Sequence, residues 1–150
     1  MVLALSLSVA CGYSFTAAGR LAGGIPAASV LPFENRSTEP ELGAVLAGAL
    51  REELAARGAL ALDGSAASVT GEVSVGAPST AAPGGVSWRV ALEVRARLLD
   101  GQRVVVERSL RREAVYPAGL DPLETEGRRA LALRTLAADC ARELAGSLME

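Results

Sequence analysis

The side chains able to do chemistry are few, and their types narrow what that chemistry is. The chain has two cysteines, Cys11 and Cys140, and no histidine. Without His it lacks the usual general base near neutral pH, the commonest metal ligand and every Ser-His or Cys-His nucleophilic pair. Two thiols without imidazole do not assemble the usual structural zinc site. Gly84-Gly85 leads into a strand-like alternation rather than a Lys-Ser/Thr helix start, so it is no phosphate loop. An enzyme built on this chain would have to work with Asp, Glu, Ser or Tyr, as a two-carboxylate glycosidase does, but Glu34, Glu72 and Glu93 stand isolated in the sequence. The expectation is a non-enzymatic protein with no catalytic residue, metal or cofactor.

Cys11 is the residue whose surroundings carry a specific meaning. Residues 1–10 are apolar or small and uncharged, and they end in Ala10 directly before Cys11. At about 1.5 Å per residue they would span only half a bilayer core, too short for a transmembrane helix and suited to the apolar part of a signal peptide. Leu7-Ser8-Val9-Ala10-Cys11-Gly12 looks like a bacterial lipobox, with Ser8 where Leu is usual. No Arg or Lys precedes the run, so residues 1–10 read as a truncated signal peptide. Cys11 is then the lipidation site, and residues 11–28, rich in Gly, Ala and Pro26, form the anchored tether. Two or three acyl chains hold a protein stably where one alone binds marginally. Gly12 is not the Asp that retains lipoproteins in the inner membrane of enteric bacteria, which points to the outer membrane.

Charge and composition bound the rest. All 15 basic residues are Arg, against 17 Asp and Glu, for a net charge of −2, so there is no basic excess to draw nucleic acid. Aromatics make up only 3% of 150 residues, leaving Ala, Val and Leu to build a single core.

The periodicities place the elements. Residues 29–35 read as a short strand with Pro32 placing it at an edge or end and Phe33 in the core, and residues 35–38 as a turn in which Asn35 bonds its own backbone. Thr38-Glu39-Pro40-Glu41 has the spacing of a capping box and opens a helix whose Leu42, Val45, Leu46, Ala49, Leu50 and Leu54 share a face, until Gly58 stops it. A second helix opens at Asp121-Pro122-Leu123-Glu124 and carries Ala130, Leu133, Leu136, Ala137, Cys140, Leu144 and Leu148 on one stripe. Cys140 is therefore expected as a buried thiol. Asp121, Glu124 and Glu126 are expected as favourable charges at a helix start rather than as a metal site.

Between the helices lie three strands, 68–75, 86–99 and 103–115, with an uncharged loop over 76–85. The middle strand alternates Trp88, Val90, Leu92, Val94, Ala96 and Leu98 with Ser87, Arg89, Ala91, Glu93, Arg95 and Arg97. Parity selects a three-residue loop, Leu99-Asp100-Gly101, which pairs Ala96 with Val104, Val94 with Val106 and Val90 with Leu110. That register sets Arg112 opposite Trp88 for a cation–π contact and leaves Arg108 opposite Leu92 without explanation. It gathers Arg89, Arg95, Arg97, Arg103 and Arg111 on the outer face against Glu93, Glu107 and Glu113, a net-basic surface. The predicted fold is a single α+β domain over 29–150, a two-layer sandwich with two helices on one face of a four-stranded mixed sheet.

Cys11-Gly12-Tyr13-Ser14-Phe15, Ile25-Pro26 and the run from Val30 through Leu31-Pro32-Phe33-Glu34-Asn35-Arg36-Ser37-Thr38-Glu39-Pro40-Glu41-Leu42 resemble LptE, the lipopolysaccharide-assembly lipoprotein family. The likeness continues weakly through the hairpin, Tyr116 and the Ala-rich last helix. The resemblance implies a lipoprotein anchored at the periplasmic face of the outer membrane, one chain of a heterodimer, sitting as a plug in the LptD β-barrel and assisting lipopolysaccharide transport. In that family lipopolysaccharide contact is attributed to basic residues near a hairpin tip and in the loop before the last helix. Here 76–85 and 116–120 carry no charge, so those contacts do not transfer. Arg89, Arg95, Arg97, Arg103 and Arg111 are the substitutes, suited to lipid phosphates or to the polar wall of a barrel lumen. A strand ending in Leu-Pro-Phe-Glu-Asn before a helix also occurs in flagellar, curli-secretion and cell-wall-synthase-activating lipoproteins, the alternative within the same class.

Overall fold

The structure, a computed structural model, describes residues 19–62, 64–81, 83–84 and 86–149. Cys11, the expected signal peptide and the first part of the expected tether lie outside the described residues.

The first strand is split in two. β1 (Ser29–Val30) and β2 (Glu34–Asn35) both run parallel to β3 (Ala67–Val75). Pro32 lies in the gap; it has no N–H to give, but Leu31 and Arg36 donate to the Val69 and Val73 carbonyls on either side, so the ribbon continues. The other edge of β3 pairs antiparallel with β5 (Ser87–Asp100), and β4 (Ser79–Thr80) follows β3 along the same side of β5 after the interruption at Pro78. β6 (Arg103–Pro117) completes the sheet on the far side of β5. Among the described residues six strands thus make four ribbons, two of them interrupted by proline.

α1 (Leu42–Ala56) and α2 (Pro122–Ser147) cover one face, giving the α+β two-layer fold. Between them and the sheet lie Leu46, Leu50, Leu54, Val69, Val73, Leu92, Leu98, Leu133 and Leu144, all buried. Phe33 is buried and lies over Gly71, where a Cβ would collide with the Arg95 carbonyl and the phenyl ring. A glycine inside a strand marks such a close approach.

The two helix starts differ. Asp121 caps α2 as expected: its carboxylate accepts the Glu124 N–H at 2.8 Å, Pro122 stands at the first turn, and the Glu124 carboxylate accepts the Leu120 N–H at 2.7 Å. The capping box expected at Thr38–Glu41 does not form. Glu41, in the left-handed region at φ 63°, precedes the helix, and no side chain caps it. The residues before it are engaged otherwise: the Asn35 carboxamide accepts the Ser37 N–H at 3.0 Å and donates to the Glu39 carbonyl at 2.6 Å, the local turn expected of Asn35.

Two further expectations are corrected. Residues 19–28 are docked on the domain: Leu21, Ile25 and Ala28 are buried, Leu21 bridges to Met149 and Ala28 donates to Ala59, so the domain begins before residue 29. The hairpin turns at Gly101-Gln102, with Gly101 at φ 61° as primed turns require, and Asp100 pairs with Arg103. A bulge at Val105 then shifts the register by one, pairing Leu98 with Val106, Val94 with Leu110 and Val90 with Ala114. Without it the apolar positions of β6 would have turned outward. Arg112 therefore lies opposite Leu92, with Trp88 opposite Tyr116, and the cation–π pair is replaced by an ion pair from Arg112 to Glu143 of α2. Arg108 lies opposite Ala96 and donates from Nε to the Ser147 carbonyl at 3.1 Å. A cation at the carboxyl end of α2 satisfies an orphan carbonyl and suits the helix dipole, which explains an arginine on the helix-facing side.

Candidate functional site

The face of the sheet away from the helices has no second layer among the described residues, and strand alternation decides what stands on it. β5 contributes Arg89, Glu93, Arg95 and Arg97, β6 contributes Glu107, Ser109, Arg111 and Glu113, and β3 contributes Thr70, Glu72 and Ser74. The register lines them into rows across the strands: Thr70, Arg97 and Glu107; Glu72, Arg95 and Ser109; Ser74, Glu93 and Arg111.

Four of the five arginines singled out from the sequence stand together here. Arg103 does not: paired with Asp100 at the turn, it has the parity of the opposite face, because the bulge at Val105 separates it from the register of Arg95 and Arg111. The expected net-basic surface is also corrected. Glu72 of β3 brings the carboxylates to four, Glu72, Glu93, Glu107 and Glu113, against Arg89, Arg95, Arg97 and Arg111. The face is charge-balanced.

The charges are cross-linked. Arg111 holds Glu93 at 2.5 Å and Glu113 at 3.1 Å; Arg95 lies 3.5 Å from Glu72 and 3.8 Å from Glu107; Arg89 lies 3.7 Å from Glu113. At the edge, Arg36 reaches Glu34 at 3.1 Å and Glu72 at 2.9 Å. Glu34 and Glu72 are directly paired across β2 and β3, a proximity that sequence separation hid. Arg36 joins them, and the bond to Glu34, then the charges of Glu34 and Glu72, raise its pKa. Bonding to Glu113 and the charge of Glu93 do the same for Arg111. Both guanidiniums stay charged at any physiological pH. Arg97 has no ion-pair partner among the described residues.

Ser74 and Ser109 are short, and they leave a hollow of about 240 Å³ bounded by Glu72, Glu93, Arg95 and Arg111. It presents hydroxyls, carboxylate acceptors and guanidinium donors together. An anion entering it would compete with carboxylates already bound to the arginines, whereas a polar surface carrying both donors and acceptors could exchange partners with them. The arrangement suits binding. No group of three or more Cys, Asp or Glu residues able to hold a metal occurs among the described residues.

A second polar cluster, absent from the sequence reading, ties the loop before α1 to α2. Arg129 pairs with Glu39 at 2.5 Å and with Glu126 at 2.9 Å, and the Arg129 and Glu39 side chains are only 14% and 15% exposed. Burial opposes the charge on Arg129, but Glu39 and Glu126 outweigh it and the pKa is raised. Tyr116 lies near this group, its pKa raised by burial. Only the spacing of Glu126 and Arg129 on one helix was visible in the sequence. Cys140 is buried as expected, with its thiol pushed up to about 11 by desolvation.

The fold has known counterparts. The family model described as lipopolysaccharide-assembly, LptE, matches residues 26–147. A putative lipoprotein from Caulobacter crescentus CB15 superposes with a TM-score of 0.58 at 20% identity, over 77% of this chain and 86% of that one. A minor lipoprotein from Acinetobacter baumannii gives 0.54 at 18% identity, over 81% and 93%. The rare lipoprotein B from Shewanella oneidensis gives 0.55 at 16% identity, over 79% and 92%. At these identities the three structures establish a shared fold. A comparison with curated proteins finds no match. No described helix is long and apolar enough to cross a membrane.

Proposed function

The chain belongs to the lipopolysaccharide-assembly family LptE, and we propose that it acts as a non-enzymatic lipoprotein that docks in the lumen of an LptD β-barrel and assists lipopolysaccharide transport. In this reading Cys11 carries the lipid that holds it at the periplasmic face of the outer membrane, and the barrel is its single partner in a heterodimer.

The observation that carries the reading is the charge-balanced sheet face. The lumen of a large transmembrane barrel is polar and presents donors and acceptors of both signs. A plug against it needs a flat, mixed, hydrogen-bonding surface rather than an apolar one, and the rows of Arg89, Arg95 and Arg111 with Glu72, Glu93 and Glu113 supply that. Lipopolysaccharide contact by Arg97, whose guanidinium has no carboxylate partner among the described residues, belongs to the same reading.

Affinity purification of the full chain from membranes, followed by mass spectrometry, tests it. Recovery of a large LptD-like barrel supports the reading, and recovery of flagellar or cell-wall-synthase partners instead replaces it. Replacing Arg95, Arg97 and Arg111 together with Glu should deplete barrel and lipopolysaccharide in the same pull-down. Undiminished retention of both would remove the sheet face from the mechanism.

A further inference from the structure

We propose that the free edge of β6 over residues 113–117, together with the groove between it and α2, is a strand-addition site for an extended, uncharged peptide segment of a partner protein. Among the described residues, β6 pairs on one side only, with β5. The Ala118 N–H bonds the Val86 carbonyl, in register with the pairing of Trp88 and Tyr116. Antiparallel alternation then turns the even-numbered residues toward β5 and leaves the N–H and C=O of Val115, and of Glu113 before it, directed away from the sheet.

Most of this edge is guarded. Arg103, Glu107, Arg108, Arg111, Arg112 and Glu113 line β6 with charge, the usual defence of an open edge. From Ala114 to Pro117 there is none. Beside that unguarded stretch, Ala114, Tyr116, Leu131, Ala132 and Thr135 border a groove of about 400 Å³ that is mainly apolar. Arg128, its one charged lining residue, is already engaged by the Ala118 carbonyl at 2.8 Å and Glu124 at 2.5 Å. Val115 and Leu131 remain 58% and 65% exposed.

These features name the occupant. Backbone groups in the plane of a sheet are satisfied by another strand, and a strand laid there would drop every second side chain into the groove between β6 and α2, where an unpaired charge would be disfavoured. The groove lies on the helix side of β6, on the other side of the sheet from Arg95 and Arg111, and its occupancy stands or falls independently of the barrel reading.

The probe is an acetylated, amidated octapeptide of alternating Val and Thr, made also in two forms N-methylated on alternate amides, one form for each peptide edge. Titrated against the full chain, the parent peptide should saturate and slow hydrogen exchange at the Val115 amide about tenfold. One methylated form should lose binding while the other retains it, because an added strand uses one edge. Leu131→Glu should weaken binding about tenfold at an unchanged melting temperature; if that variant does not fold, Thr135→Glu is read the same way. No saturable binding at millimolar peptide, or equal binding by both methylated forms, would overturn the proposal.

Discussion

On β5 the residues Val90, Leu92, Val94, Ala96 and Leu98 lie under the helices, while Arg89, Glu93, Arg95 and Arg97 alternate with them on the face no helix covers. On the helix-facing side, Arg108 and Arg112 find partners on α2, in the Ser147 carbonyl and the Glu143 carboxylate. The open side is nearly all charge and hydroxyl, and its partners are its own neighbours. Folding stability is therefore concentrated on one face, and the other is free to be chosen for what it meets.

Substitutions on one strand test that division most strongly. Leu92→Ala, at a fully buried side chain, should cost about 2–5 kcal/mol in urea unfolding. Arg95→Gln, with its side chain 57% exposed, should cost less than about 1 kcal/mol. Equal losses would mean that the open face also holds the fold together.

The Glu39 and Arg129 pair sharpens the comparison, because it is an ion pair of the same chemistry taken largely out of water. Glu39→Gln leaves Arg129 with Glu126 alone, and its Nε already has no hydrogen-bond partner among the described residues. The expected loss is about 1–3 kcal/mol, larger than for Arg95→Gln. A loss no greater than that of Arg95→Gln would show that burial does not distinguish the two.

The smallest effect is at the exposed start of α2. The Leu120 N–H, then Arg128, hold Glu124 below the ordinary carboxylate range. A depressed pKa contributes stability that is present at pH 7 and is lost as pH falls below about 4, through the folded-state value. Glu124→Gln should therefore lower the urea midpoint slightly at pH 7, and the difference from the parent protein should shrink at pH 3. A difference that grows on acidification would reverse the assignment.

Much of this architecture is legible in single residues. The strict alternation of β5 fixes its two faces without reference to any neighbour, and the Asp121-Pro122-Glu124 start of α2 depends on groups within four residues of each other. The run from Val30 to Leu42 carried the family resemblance, and Phe33 and Asn35 took the places expected of them. The sequence alone thus determined the element types, the two-layer class and the identity of four arginines on one face, because each follows from local period or local bonding.

Only the tertiary structure decided the rest, because each remaining feature depends on residues far apart in the chain. The bulge at Val105 restored the apolar parity that strict alternation could reach only with a three-residue loop. Glu72 came beside Arg95 through the pairing of β3 with β5 and neutralised a surface that β5 and β6 by themselves made basic. Glu39 met Arg129, and Arg108 met the end of α2, only once the helices had packed. Register and packing are long-range choices, and here they turned an expected basic patch into a balanced one.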